Sequence, residues 1–214
     1  MEWKDYFEKD YKLKDYLGIL WAHSELFDEI ITEKPKTVLE VGTGTGIMSI
    51  FLSWLGYKVT AVDNNQQLIE KSVRLNKQLN GSVDYVLCDM LRLSDYFCSK
   101  RFDLVFSQGL IEHFEDCQIN KIIQEQLKIA NKIVLSLPSI FYPIRDFGNE
   151  RLLSAKKWKE ILKDFNIETM RYYGFVPSKK SAQKSLINPF IFVKIFFNFF
   201  VRRTNLIIKI SSYK

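Results

Sequence analysis

Five short runs of the chain are almost continuously apolar: KTVLEV (36–41), KVTAVD (58–63), VDYVLCD (83–89), FDLVFSQ (102–108) and KIVLSLP (132–138). Each is rich in β-branched or aromatic residues and short for a helix, so each predicts a strand buried on both faces. The segments between them switch to helical spacing. Leu68, Leu75 and Leu79 share one side of 65–80, and Ile122, Ile123 and Leu127 share one side of 118–130. Strands alternating with helices at this interval imply right-handed crossovers and a parallel sheet covered on both faces.

The flanks extend the pattern. Residues 12–32 read as one amphipathic helix with Tyr16, Leu20, Phe27 and Ile31 available for burial. Ser154 is a predicted N-cap, followed by Trp158, Ile161, Leu162 and Phe165 at helical spacing. IETMRYYGF (167–175) and NLIIKISSY (205–213) add two strand candidates. The expected fold is α/β: a doubly wound, mostly parallel seven-stranded sheet with helices on both faces, in three α/β/α layers. A helical extension over 1–34, a candidate lid, precedes one domain over 35–214, with an apolar helical insertion at about 186–203 before the last strand.

That insertion, NPFIFVKIFFNFFVRR (188–203), begins with an Asn suited to capping and a Pro suited to the first turn. Lys194, Asn198 and Arg202 fall on one narrow stripe of an otherwise apolar surface. Fifteen helical residues reach only ~22 Å, short of the ~30 Å hydrocarbon core of a bilayer. A membrane span is therefore not expected. Packing on the domain, a homodimer contact and a peripheral place in a membrane interface remain, and the position between two strands favours packing.

A chain of 214 residues suits one well-buried domain. Its three cysteines are odd in number and lack C-x-x-C spacing, which predicts reduced thiols and neither a disulfide frame nor a zinc site. The first residues contain no apolar signal core, so a cytoplasmic location is expected. The net charge of +6 is uneven: 169–214 holds nine Lys or Arg and no acid, leaving 22 basic and 25 acidic residues in 1–168. Such asymmetry suits an anionic partner, a membrane surface or a solvated basic end.

The candidate chemistry begins at VLEVGTGTGI (38–47), a glycine turn behind the first strand. A sheet of this kind binds ligands at the carboxyl ends of its strands, where strand order reverses. Gly42 and Gly44 allow a tight turn and close backbone approach, and Gly46 lets the next helix pack near the strand. Asp63, ending the second strand, can accept hydrogen bonds from ribose hydroxyls. The spacing is G-x-G-x-G, not the G-x-G-x-x-G of pyrophosphate sites, and Glu40 precedes it. A carboxylate there repels a pyrophosphate but suits the ammonium of an amino-acid ligand.

With these residues in hand, 36–138 resembles the class I S-adenosylmethionine-dependent methyltransferases. LEVGTGTG, VTAVDNN, LCDM and FDLVFSQGLIEHF resemble their four motifs in order. The resemblance implies a site for S-adenosylmethionine, with S-adenosylhomocysteine as product, formed by Glu40, Gly42, Thr43, Gly44, Gly46, Asp63, Asn64, Asp89, Met90, Ser107 and Gln108. Asp89 would meet the adenine amino group, Met90 the ring face, and Ser107 and Gln108 the methionine portion. Asn64 departs from the apolar residue the family often places over the adenine.

The resemblance also implies methyl transfer to an O or N of a small-molecule acceptor, lipid-like ones included. His113, following the fourth strand, is the candidate base, against an ordinary role as a helix-start histidine. Glu112 and His113 resemble the end of an E-x-x-E-H metal site, but Gly109 stands at its first acidic position, so no metal is expected. The fourth strand lacks the [DNS]-P-P-[YF] signature of nucleic-acid amino methyltransferases, which disfavours nucleic acid. The alternatives are an inactive cofactor-binding subunit, or an RNA or protein methyltransferase. The aromatics Trp3, Tyr6, Tyr11, Tyr16 and Trp21 are candidates for a lid over the acceptor, Tyr16 and Trp21 equally for a helix–sheet interface.

Overall fold

Residues 11–98, 101–142, 148–174 and 203–212 are described by a computed structural model. The apolar runs form β1 (Thr37–Val41), β2 (Lys58–Asp63), β3 (Asp84–Leu87), β4 (Leu104–Gln108) and β5 (Lys132–Pro138). Side chains alternate across a strand, so each run feeds two cores. Along β1, Val38 joins the core on one face, and Leu39 and Val41 join the other. This two-sided burial explains why the runs are continuous and not alternating.

The sheet order is β3-β2-β1-β4-β5-β7-β6, with β6 at Asn166–Tyr173 and β7 at Asn205–Ser211. The first five strands are parallel, whereas β7 runs antiparallel to both β5 and β6 and lies between them. Strand order reverses between β1 and β4, so their carboxyl ends frame a crevice. The seven-stranded, mostly parallel expectation holds.

Helices cover both faces. On one lie α1 (Leu13–Ala22), α2 (Ser24–Thr32), α3 (Ile47–Trp54) and α4 (Gln66–Gln78). On the other lie α5 (Leu93–Phe97), α6 (Asp116–Ile129) and α7 (Ala155–Ile161). Ser154 caps α7 through the Lys157 amide, and Trp158, Ile161 and Leu162 are buried as the spacing predicts.

The single helix expected over 12–32 is two. It breaks at His23, whose backbone (φ −112°, ψ 19°) leaves the helical region. His23 Nδ1 lies 2.7 Å from the Tyr173 hydroxyl of β6, a contact that an uninterrupted helix would have to match. Phe27 is buried and Tyr16 and Leu20 pack on the core, but Ile31 is exposed, and Trp21 faces solvent at 81% exposure.

The same extension absorbs part of the basic tail. Glu25, Glu29 and Glu33 recur along α2 and its end. Arg171 binds Glu25 and Glu29, Arg203 binds Glu25, and Lys209 binds Glu29 and Glu33. Three of the nine basic residues beyond 168 are thus internal partners of the N-terminal acids, not a solvated end. The expected 186–203 insertion lies, except for Arg203, outside the described residues, as do Trp3 and Tyr6.

Candidate active site

The glycine turn follows directly from β1. The Gly42 and Thr43 amides donate to the Val62 carbonyl at 2.9 and 3.1 Å, tying the turn to β2. Gly42 has φ +75°, and a Cβ there would meet Leu110 Cδ1 at 2.8 Å. Gly46, also at φ +75°, leaves space that Tyr85 and Ser72 fill. Its role is packing, and it does not line the cavity described below.

Glu40 is 2% exposed, and its Oε2 accepts from Ser49 Oγ and Thr43 Oγ1. Burial pushes its carboxyl up to about 7, against the pull of these hydroxyls. Asp63 Oδ1 accepts from the Asn65 amide at 3.0 Å, and Oδ2 accepts from the Gly44 amide at 3.4 Å. Desolvation nonetheless raises its carboxyl. Each oxygen has capacity for a second donor.

A cavity of about 740 Å³ opens at the carboxyl ends of the strands. One end is walled by Glu40, Gly42, Thr43, Gly44, Asp63, Asn64 and Met90, the other by Gln108, Glu112 and His113. Besides Gly46, two expected residues stand off its wall. Asp89 is exposed and caps the 3₁₀ turn Met90–Arg92 through the Leu91 amide, while Ser107 is buried within β4.

Gly109 (φ +65°) turns the chain sharply after β4 into a second 3₁₀ turn, Ile111–His113. Arg151 staples a later loop to it. The Arg151 amide donates to the Glu112 carbonyl at 3.0 Å, and its guanidinium binds the Phe114 carbonyl and Asp116. The staple delivers Asn149 and Glu150 to the cavity. His113 Nδ1 lies 2.8 Å from Asn149 Oδ1. An amide oxygen only accepts, so in this contact Nδ1 carries the proton. Glu112 is 2% exposed, its Oε2 lacks a hydrogen-bond partner, and Oε1 lies 4.0 Å from His113 Nε2. Burial, with Glu150 nearby, pushes its carboxyl up to about 8.

The N-terminal extension contributes Tyr11, Ile19 and His23 to the cavity. The Tyr173 hydroxyl bridges His23 to Ser136, and burial lowers His23 to about 4, so it stays neutral. Sequence reasoning missed the roles of His23, Asn149 and Glu150, because each depends on partners distant along the chain. Among the described residues no group of three His, Cys, Asp or Glu side chains is arranged to hold a metal ion.

Known proteins resemble this chain in sequence and in fold. Residues 38–132 match the family model described as a methyltransferase domain. The ubiquinone biosynthesis O-methyltransferase of Rickettsia bellii is 31% identical over 186 residues, covering 74% of this chain and 76% of that protein. The protein of that name from Coxiella burnetii is 30% identical over 115 residues, 54% of this chain and 48% of its own length. The chain thus aligns with about half the length of the Coxiella relatives. In fold it is similar to a Pyrococcus horikoshii protein (TM-score 0.67, 15% identity, 97% of this chain and 93% of that one). It is likewise similar to Synechocystis magnesium protoporphyrin IX methyltransferase (TM-score 0.62, 15% identity, 98% and 89%). The chain belongs to the class I S-adenosylmethionine-dependent methyltransferases, with their Rossmann-like fold. S-adenosylmethionine is the cofactor of that family.

Proposed function

We propose that the protein transfers a methyl group from S-adenosylmethionine to a hydroxyl oxygen of a small-molecule acceptor. The observation that carries this reading is one continuous cavity lined by both the glycine turn with Asp63 and the His113 turn. Its volume of about 740 Å³ lies in the upper part of the range for small-molecule sites. Relatives named as ubiquinone biosynthesis O-methyltransferases support oxygen over nitrogen.

The residues present fit the cofactor. Among the described residues, the cavity is lined by four carboxyl groups and by no Lys or Arg. Such a wall suits a ligand whose sulfonium and ammonium outweigh its one carboxylate, and it disfavours a pyrophosphate. Asp63 retains acceptor capacity for ribose hydroxyls, and Glu40 offers a desolvated carboxyl to a cation. When bound, the cofactor supplies an electrophilic methyl carbon.

The chain itself orients the reactants and manages the proton. Asn149 fixes the His113 tautomer so that Nε2 can take the proton of the acceptor hydroxyl. Leu110, packed against Gly42, and the walls from α1 help exclude water. Titration with S-adenosylhomocysteine tests the reading. Asp63→Ala removes up to two charged hydrogen bonds at about 1.5–3 kcal/mol each, so binding should weaken at least tenfold. Wild-type affinity in that variant, or NAD binding in place of the methyl donor, would overturn the assignment.

A further inference from the structure

Once Glu40 and Asp63 serve the cofactor, the cavity holds two further carboxyl groups. Glu112 and Glu150 are 2% and 6% exposed and line its other end beside His113. Acidic side chains that deeply buried are ordinarily paired with a base or fully hydrogen-bonded. Glu150 Oε2 accepts from the Gly148 amide at 2.9 Å, but Glu112 Oε2 has no donor. Among the described residues beside this wall, Arg151 turns its guanidinium away to Phe114 and Asp116. Gly109 lies against this carboxyl: a Cβ there would stand in ordinary contact, 3.6 Å from Oε1.

An orphaned acceptor in a cavity wall is a costly feature unless something that enters the cavity supplies the missing donor. We infer that Glu112, backed by Glu150, is a specificity-determining residue that takes a hydrogen bond from an uncharged or cationic donor group of the methyl acceptor, a hydroxyl or an ammonium, and rejects acceptors bearing a carboxylate or phosphate at that end. The inference rests on the methyltransferase reading and adds the charge class of its substrate. The raised Glu112 carboxyl agrees with it, because a neutral carboxyl accepts from a hydroxyl and an incoming ammonium favours its ionised form.

Three probes that share one phenol ring separate the possibilities: tyramine, 4-hydroxyphenethyl alcohol and 4-hydroxyphenylacetate. Each is titrated by calorimetry into the full chain saturated with S-adenosylhomocysteine. Tyramine and the alcohol should bind, and the acid should bind at least about tenfold more weakly than tyramine, since its carboxylate brings no donor to Oε2, whereas an ammonium brings one and favours the ionised Glu112. Tyramine ahead of the alcohol points to an ammonium as the natural donor, and equality points to a hydroxyl. Glu112→Gln should narrow the amine-to-acid ratio towards one, with Glu150→Gln narrowing it less. Glu112→Asp should keep the preference at lower affinity, and it serves where the Gln variant fails to fold. Acid binding as tight as tyramine, a ratio unmoved by Glu112→Gln, or no binding of any probe at millimolar concentration overturns the inference while leaving the cofactor reading intact. Failure to bind S-adenosylhomocysteine overturns both.

Discussion

A carboxyl raised to about 8 in the fold keeps its proton through neutral pH, whereas an unfolded glutamate loses it near 4.5. Glu112 therefore favours the folded state fully below the unfolded value, and that contribution is lost as pH rises through the folded one. Each unit is worth about 1.4 kcal/mol. Glu112→Gln should gain melting temperature relative to the native chain as pH rises from 5 to 9. A difference that stays constant across that range would mean that Glu112 is not perturbed. At His113 the expectation is kinetic. His113→Ala should lower turnover by roughly 10²–10⁴-fold, with a far smaller effect on S-adenosylhomocysteine binding. Equal losses in both would make the ring a structural group. The glycines, Glu40 and Asp63 were legible in the sequence because their chemistry is local, a turn and two strand ends. Asn149 and Glu150 were not, because an arginine staple brings them from a loop 36 or more residues beyond His113.

At the scale of elements, α2 is held by charge as well as by its apolar side. Lys209 lies between Glu29 at 2.8 Å and Glu33 at 2.7 Å, and its side chain is 12% exposed. Lys209→Met would leave two largely buried carboxylates short of a partner, at about 1–3 kcal/mol. For a domain of this size that is about 2–4 °C of melting temperature per kcal/mol. An unchanged melting temperature would show that the glutamates find other partners. The strands themselves were legible, β2 and β5 to the residue, because burial on both faces writes an unbroken apolar run. The break between α1 and α2 was not, since the hydrophobic spacing continues across it. The partner of the residue at the break is Tyr173, 150 residues further along.

For the whole molecule, the position of β7 is decisive. Lying between β5 and β6, it is the strand through which β6 joins the sheet. A chain terminated before Asn205 would leave β6 without its neighbour and the long edge of β5 bare, and bare apolar edges invite aggregation. Such a truncation should lose cooperative unfolding and elute as aggregate in size-exclusion chromatography, and a soluble monomer would contradict the expectation. The same arrangement sets a clock on biosynthesis. The 73 residues after Pro138 through Ser211 must be translated before β5 can be sealed. At cellular rates of synthesis this takes roughly 4–15 s. For that interval the nascent sheet is half built and exposed, so a chaperone that shields β5 during translation would matter more to yield than the final stability of the finished protein.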